Sequence, residues 1–114
     1  MTLRLESIAL DCADPQSLGQ FWCALLEGVL EPHDDGDVSI QFDGGELLLM
    51  IDPNAKTTKN RVHLDLRPYD QAVEVARAEA LGATRIDIDQ GEVSWVVLAD
   101  PEGNEFCILS SMMV

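Results

Sequence analysis

An α+β fold built from two βαβββ modules is what the sequence predicts, and three observations predict it. A strand, an Asp cap, an amphipathic helix and a Gly run from Leu5 to Gly28, and the same order returns from Arg61 to Gly82. Ser7, Leu10, Asp14 and Ala24 each lie 56 residues before His63, Leu66, Asp70 and Ala80, a spacing match that extends through both helices. Each helix is then followed by three short apolar segments separated by turn residues. Such modules, at residues 1–52 and 61–114 with a linker at 53–60, are expected to pair into one curved mixed sheet. That sheet would have a central cleft and carry the helices on its outer face.

The elements follow in order. Leu3 to Cys12 alternates well enough for a first strand, with Ile8 and Leu10 on one face. Asp14 caps a helix whose first position is Pro15, where the missing N–H costs nothing. Leu18, Phe21, Trp22 and Leu25 recur at helical spacing as its buried face, and Gly28 is expected to supply the left-handed stop. Strands are expected at Val29 to Pro32, Val38 to Phe42 and Glu46 to Ile51, with Asp/Gly turns at Asp34 to Asp37 and Asp43 to Gly45. The linker is polar and lacks periodicity.

The second module opens with a strand over Arg61 to Arg67. Asp70 caps its helix, whose apolar face is expected from Val73, Ala76, Ala80 and Leu81, and Gly82 ends it. Glu74 and Arg77 are placed to pair on the exposed side. Strands at Ala83 to Ile88, Val93 to Ala99 and Asn104 to Ser110 complete the copy. Before the last of them, Asp100-Pro101-Glu102-Gly103-Asn104 has the composition of a tight turn: Pro presets one dihedral and Gly tolerates a positive one.

Composition narrows the functional classes. At 114 residues and 46% apolar content the chain can bury a core without a covalent staple. Its formal net charge is -14, and its seven Lys and Arg form no cluster, which argues against nucleic acid and against anionic membrane surfaces. Cys12, Cys23 and Cys107 are odd in number with no CxxC pair, so they read as reduced thiols. No apolar run approaches the length of a membrane span, and a cytoplasmic location is the simplest expectation.

Two strand-helix-three-strand units, Asp14-Pro15 followed by Phe21-Trp22 and Leu25-Leu26, the opening Arg61-Val62-His63-Leu64-Asp65-Leu66, and Asp100 to Asn104 before the last strand together resemble the vicinal oxygen chelate superfamily. The branch most similar is that of glyoxalase-like domains related to glyoxalase and bleomycin-resistance proteins. The resemblance spans essentially the whole chain. It implies up to four side chains holding a divalent metal on the concave face, from the first and last strands of each module. A metal there acts as a Lewis acid on an enediolate or oxyanion.

Those four positions transfer unevenly. Seven residues before each capping Asp stand Ser7 and His63; four residues after the turn Gly103 stands Cys107, and Leu48 takes its place in the first module. Leucine has no donor atom and a neutral hydroxyl coordinates weakly, so a resident metal is not expected. A shifted set of His63, Glu46 and Glu105, in which Glu46 and Glu105 share a strand face with Leu48 and Cys107 two residues on, is the arrangement that would hold Zn, Ni, Fe or Mn. Without a metal, His63 reads as an acid/base oriented by Asp65 or Glu105, or as a hydrogen-bonded histidine lining the sheet. Cys107 reads as a small buried side chain, and Trp95 as core or as an aromatic wall. Met50, Met112 and Met113 are further apolar candidates, and His33 reads as exposed.

The expected function is binding of a small, partly apolar molecule in the cleft, lined by Ser7, Leu48, Met50, His63, Asp65, Trp95, Glu105 and Cys107. The competing reading is a metal-dependent lyase, isomerase or dioxygenase anchored on His63. A homodimer is expected in either case.

Overall fold

The computed structural model describes residues 2–54, 56–86 and 94–112. Contacts group the chain into two units, Met1–Ala55 and Lys56–Val114. Each is a βαβββ module with its own four-stranded mixed sheet.

In the first, the elements are β1 (Ile8–Cys12), α1 (Pro15–Leu26), β2 (Val29–Pro32), β3 (Val38–Phe42) and β4 (Gly45–Ile51). Their order across the sheet is β1-β4-β3-β2, with β1 parallel to β4 and the other pairs antiparallel. The second repeats it with β5 (Leu64–Leu66), α2 (Gln71–Leu81), β6 (Thr84–Arg85), β7 (Val96–Ala99) and β8 (Glu105–Ile108), in the order β5-β8-β7-β6. The duplication therefore holds at the level of hydrogen-bond register. Ala9 faces Leu48 in one module as Asp65 faces Cys107 in the other.

Both helices start as their caps dictate. Asp14 accepts from the Ser17 amide and Asp70 from the Val73 amide, which satisfies donors that the first helical turn leaves unpaired. Gly82 ends α2 at a positive φ of 124°.

The end of α1 differs from expectation. Glu27, with φ 54° and ψ 46°, takes the left-handed position, and its N–H closes onto Cys23 O. Gly28 serves another purpose: a Cβ there would be driven into the Gln41 carbonyl oxygen and would lie 3.0 Å from Ile40 Cγ2. Glycine is needed at this position for the close entry of β2 alongside β3.

The first strand of each module is shorter than the alternation suggests. Pairing begins at Ile8 with Leu47 and at Leu64 with Phe106, because the parallel partners β4 and β8 themselves start only one or two residues earlier, after their turns. Residues 3–6 are consequently exposed, and Arg4 pairs with Glu6 at 2.9 Å. His63 precedes β5 rather than lying within it. The expected strands over 83–88 and 93–99 are seen as β6 and β7; residues 87–93 lie outside the described residues.

In the first core Leu18, Phe21, Trp22 and Leu25 of α1 are buried, as are Val38, Ile40, Leu47 and Leu49 of the sheet. The second helix corrects the expected face. Val75 and Ala78 are buried, whereas Val73 and Leu81 are exposed, as are Ala76 and Ala80. Small alanines on several faces of α2 left its apolar stripe ambiguous, and packing against β8 selected the other one. Glu74 and Arg77 pair at 2.7 Å as expected.

Candidate functional site

Strand parity builds the site. On β8 the side chains of Phe106 and Ile108 go to the buried core while Glu105 and Cys107 take the opposite face. The flanking strands match: Asp65 and Val97 face Cys107 from its two sides in the ladder. Around this row lies a cavity of about 300 Å³. Trp95, Val97 and Leu109 give it an apolar wall, and His63, Asp65 and Lys59 a polar one, with Glu105 and Cys107 also lining it.

Five of the expected cleft residues, His63, Asp65, Trp95, Glu105 and Cys107, thus surround one cavity within the second module. Ser7, Leu48 and Met50 belong to the first module, where Leu48 is half-buried and Met50 exposed. Lys59, Val97 and Leu109 were missed. Parity would have found Val97 and Leu109 once Cys107 was placed; Lys59 sits in an aperiodic linker that carries no such signal.

The polar groups are connected. His63 Nδ1 lies 3.4 Å from Asp65 Oδ1. His63, Asp65 and Cys107 each bring a possible ligand atom to within 4.8 Å of the other two, among the described residues. Glu105 of the shifted set is engaged elsewhere: its Oε2 lies 3.8 Å from Lys56 Nζ, buried and without a hydrogen-bond partner among the described residues. Glu46, the other member of that set, stands in the first module and accepts from Gln41 Nε2. Of the two carboxylates expected beside His63, Asp65 is the one that stands there. His33 is exposed, with Nε2 2.6 Å from Ser39 Oγ.

Burial raises the pKa of the Cys107 thiol above its ordinary 9.0, the Asp65 carboxylate raises it further by charge and hydrogen bonding, and Lys59 opposes them. The thiol is therefore protonated at neutral pH and a poor nucleophile. Alkylation of Cys107 by iodoacetamide at pH 8, followed by peptide mass spectrometry, is expected to lag behind that of an unperturbed cysteine, and Asp65→Asn should speed it. Because the folded value lies above the unfolded one, the stabilisation linked to this thiol is fully present below pH 9.0 and is lost as pH rises through the folded value.

Two copies of a βαβββ module, each with its first strand parallel to its last in a mixed sheet, define a protein of the vicinal oxygen chelate class. The family model for the glyoxalase-like domain matches residues 7–109, and the chain belongs to that family. No curated protein sequence matches the chain.

Solved structures share the fold at low identity. A FosX fosfomycin resistance protein mutant from Listeria monocytogenes, complexed with Mn(II) and 1S,2S-dihydroxypropylphosphonic acid, is 15% identical with a TM-score of 0.74, covering 98% of this chain and 93% of that one. A glyoxalase/bleomycin resistance protein/dioxygenase family enzyme from Burkholderia phytofirmans PsJN is 16% identical, TM-score 0.74, covering 96% and 100%. A hypothetical protein from S. aureus is 17% identical, TM-score 0.72, covering 96% and 95%. No helix among the described residues is long and apolar enough to cross a membrane.

Proposed function

We propose that the second module binds a small, partly apolar molecule in the cavity beside His63. The observation that carries this reading is the division of one hollow into an apolar wall, with Trp95 at its edge, and a polar wall formed by His63, Asp65 and Lys59. Binding sites combine a mostly apolar lining with a few convergent polar groups in this way. The volume of about 300 Å³ holds on the order of ten waters, so the ligand is a small one. A planar body against Trp95 and a polar or anionic group toward Lys59 and His63 match the lining.

The four-side-chain metal site implied by the family does not fit these residues. Leu48 supplies no donor and Ser7 only a neutral hydroxyl, and the Mn(II) of the FosX complex has no matching set at these four positions. Binding without catalysis by such an ion is therefore the favoured reading over a metal-dependent lyase, isomerase or dioxygenase.

Trp95 is 37% exposed and Trp22 only 1%, so fluorescence quenching by a ligand reports on the cavity. Titrating chelator-treated protein with aromatic and dicarbonyl compounds is expected to give saturable quenching that disappears in Trp95→Phe. His63→Ala should weaken binding about tenfold, the worth of a hydrogen bond to a charged or polar group, with little change in melting temperature. If His63→Ala instead lowers the melting temperature and leaves binding intact, His63 is a packing residue. Silence of Trp95 toward both compound classes ends the reading.

A further inference from the structure

We propose that Glu105 selects the polar end of the ligand, and that the cavity takes an aryl compound carrying a neutral hydrogen-bond donor, a hydroxyl or an amide N–H, remote from its ring. This rests on the ligand reading of the cavity and adds to it which chemical class is held and in which direction.

The unmet acceptor comes first. Glu105 lines the cavity, and its Oε2 is buried without a hydrogen-bond partner among the described residues. A buried acceptor left unsatisfied is costly, so a molecule that displaces solvent from it must bring a donor or lose affinity. Lys56 does not fill this role. Its Nζ donates to the Thr58 carbonyl and stays 3.8 Å from Glu105 Oε2, near enough to balance the charge and too far to make the bond. What Glu105 lacks is therefore a donor rather than a counter-ion. An ammonium group entering here would also meet Lys56 and the Lys59 of the cavity wall as like charges, whereas a hydroxyl meets no repulsion.

Strand geometry gives the direction. Glu105, Cys107 and Leu109 follow one another along one face, within β8 and just beyond it, and Val97 of β7 pairs with Cys107 in antiparallel register. Trp95, two residues before Val97, therefore stands toward the Leu109 end of the cavity, away from Glu105. The rise along the strand from Glu105 to Leu109 is roughly 13 Å, at about 3.3 Å per residue. A ring resting against Trp95 and Leu109 thus needs a short chain to carry its donor to Glu105.

Three compounds with one ring and one chain length test this through Trp95 emission: 3-phenylpropan-1-ol, its methyl ether, and 3-phenylpropylamine in its protonated form. The unaltered protein is expected to bind the alcohol at least about tenfold more tightly than the ether, the worth of one hydrogen bond to a charged acceptor, and more tightly than the amine. Glu105→Met, similar in length but without an acceptor oxygen, should bring alcohol and ether level. Lys56→Met should reverse the order of alcohol and amine, because Glu105 is then left without a counter-charge. Equal binding of alcohol and ether by the unaltered protein, or a preference that survives in Glu105→Met, overturns the proposal. Should Glu105→Met fail to fold, an order of alcohol and amine untouched by Lys56→Met overturns it instead. Silence of Trp95 toward all three compounds ends the cavity reading and this one with it, whereas equal binding of alcohol and ether ends only the choice assigned to Glu105.

Discussion

Trp22→Ala is expected to remove about 3–5 kcal/mol of stability, a large part of the roughly 5–15 kcal/mol that holds a domain folded. Trp22 is 1% exposed and meets Phe21 edge-on, with ring centroids 5.3 Å apart. The helix that carries it lies close to its sheet: Gly19, one turn earlier, leaves so little room that an added Cβ would come within 2.9 Å of Val38 Cγ1 and 3.6 Å of Leu49 Cδ1. A helix seated this tightly cannot settle into the void left by an indole, so the cavity cost adds to the lost transfer energy. Guanidinium unfolding followed by far-ultraviolet circular dichroism gives the number. Val73→Ala on α2 is the control. Val73 is 56% exposed, so its loss should stay within about 0.5 kcal/mol. Equal losses from the two substitutions would mean that the helix faces have been assigned wrongly.

That contrast also shows where the sequence is readable. On α1 large residues mark a single stripe, Leu18, Phe21, Trp22 and Leu25, and the structure buries all four. On α2 the apolar residues are mostly alanines, which weigh little on any face, and the stripe inferred from Val73, Ala76, Ala80 and Leu81 is the exposed one. Caps were readable for a different reason. An Asp side chain accepting from an amide three residues on is a local event, and both caps fall where the spacing put them. The stop at Gly28 failed because two demands compete for glycine, a left-handed turn and a close approach of backbones. The second is set by β3, more than ten residues away.

The site was half legible on the same grounds. His63 and Cys107 came from the repeat and from the turn before the last strand, both short-range signals. That Asp65 rather than Glu105 stands beside His63 depends on side-chain choices made after β5 pairs with β8. That pairing joins residues some forty positions apart in parallel register. The Lys56 ammonium, drawn from the linker, lies 3.8 Å from Glu105, which stays outside the cluster. Nothing in a periodic pattern encodes a lysine reaching back from an aperiodic segment.

The second large effect is expected at Asp100, where Asp100→Ala should cost about 3 kcal/mol and disturb the cavity from a distance. Asp100 is 3% exposed. Its Oδ1 accepts from the backbone amides of Glu102 at 2.9 Å and Asn104 at 3.0 Å, and the Asn104 side-chain amide bonds to both carboxylate oxygens. Asn104 in turn accepts from Asn60 of the linker at 2.9 Å. Alanine would leave these donors buried with their partner gone, and unmade hydrogen bonds cost more than made ones return. The separate losses do not add, because all of them hold one turn, in which Gly103 sits at φ 88°. Asp100→Asn keeps one acceptor oxygen and should cost about half as much. The turn also fixes where β8 begins, at Glu105, two residues before Cys107. A slackened turn should therefore blunt the Trp95 response to ligand in the fraction that remains folded, although Asp100 does not line the cavity. An Asp100→Ala protein that unfolds at the unaltered midpoint would show that the backbone bonds Asp100 N–H to Asn104 O and Gly103 N–H to Asp100 O suffice to hold the turn without its carboxylate.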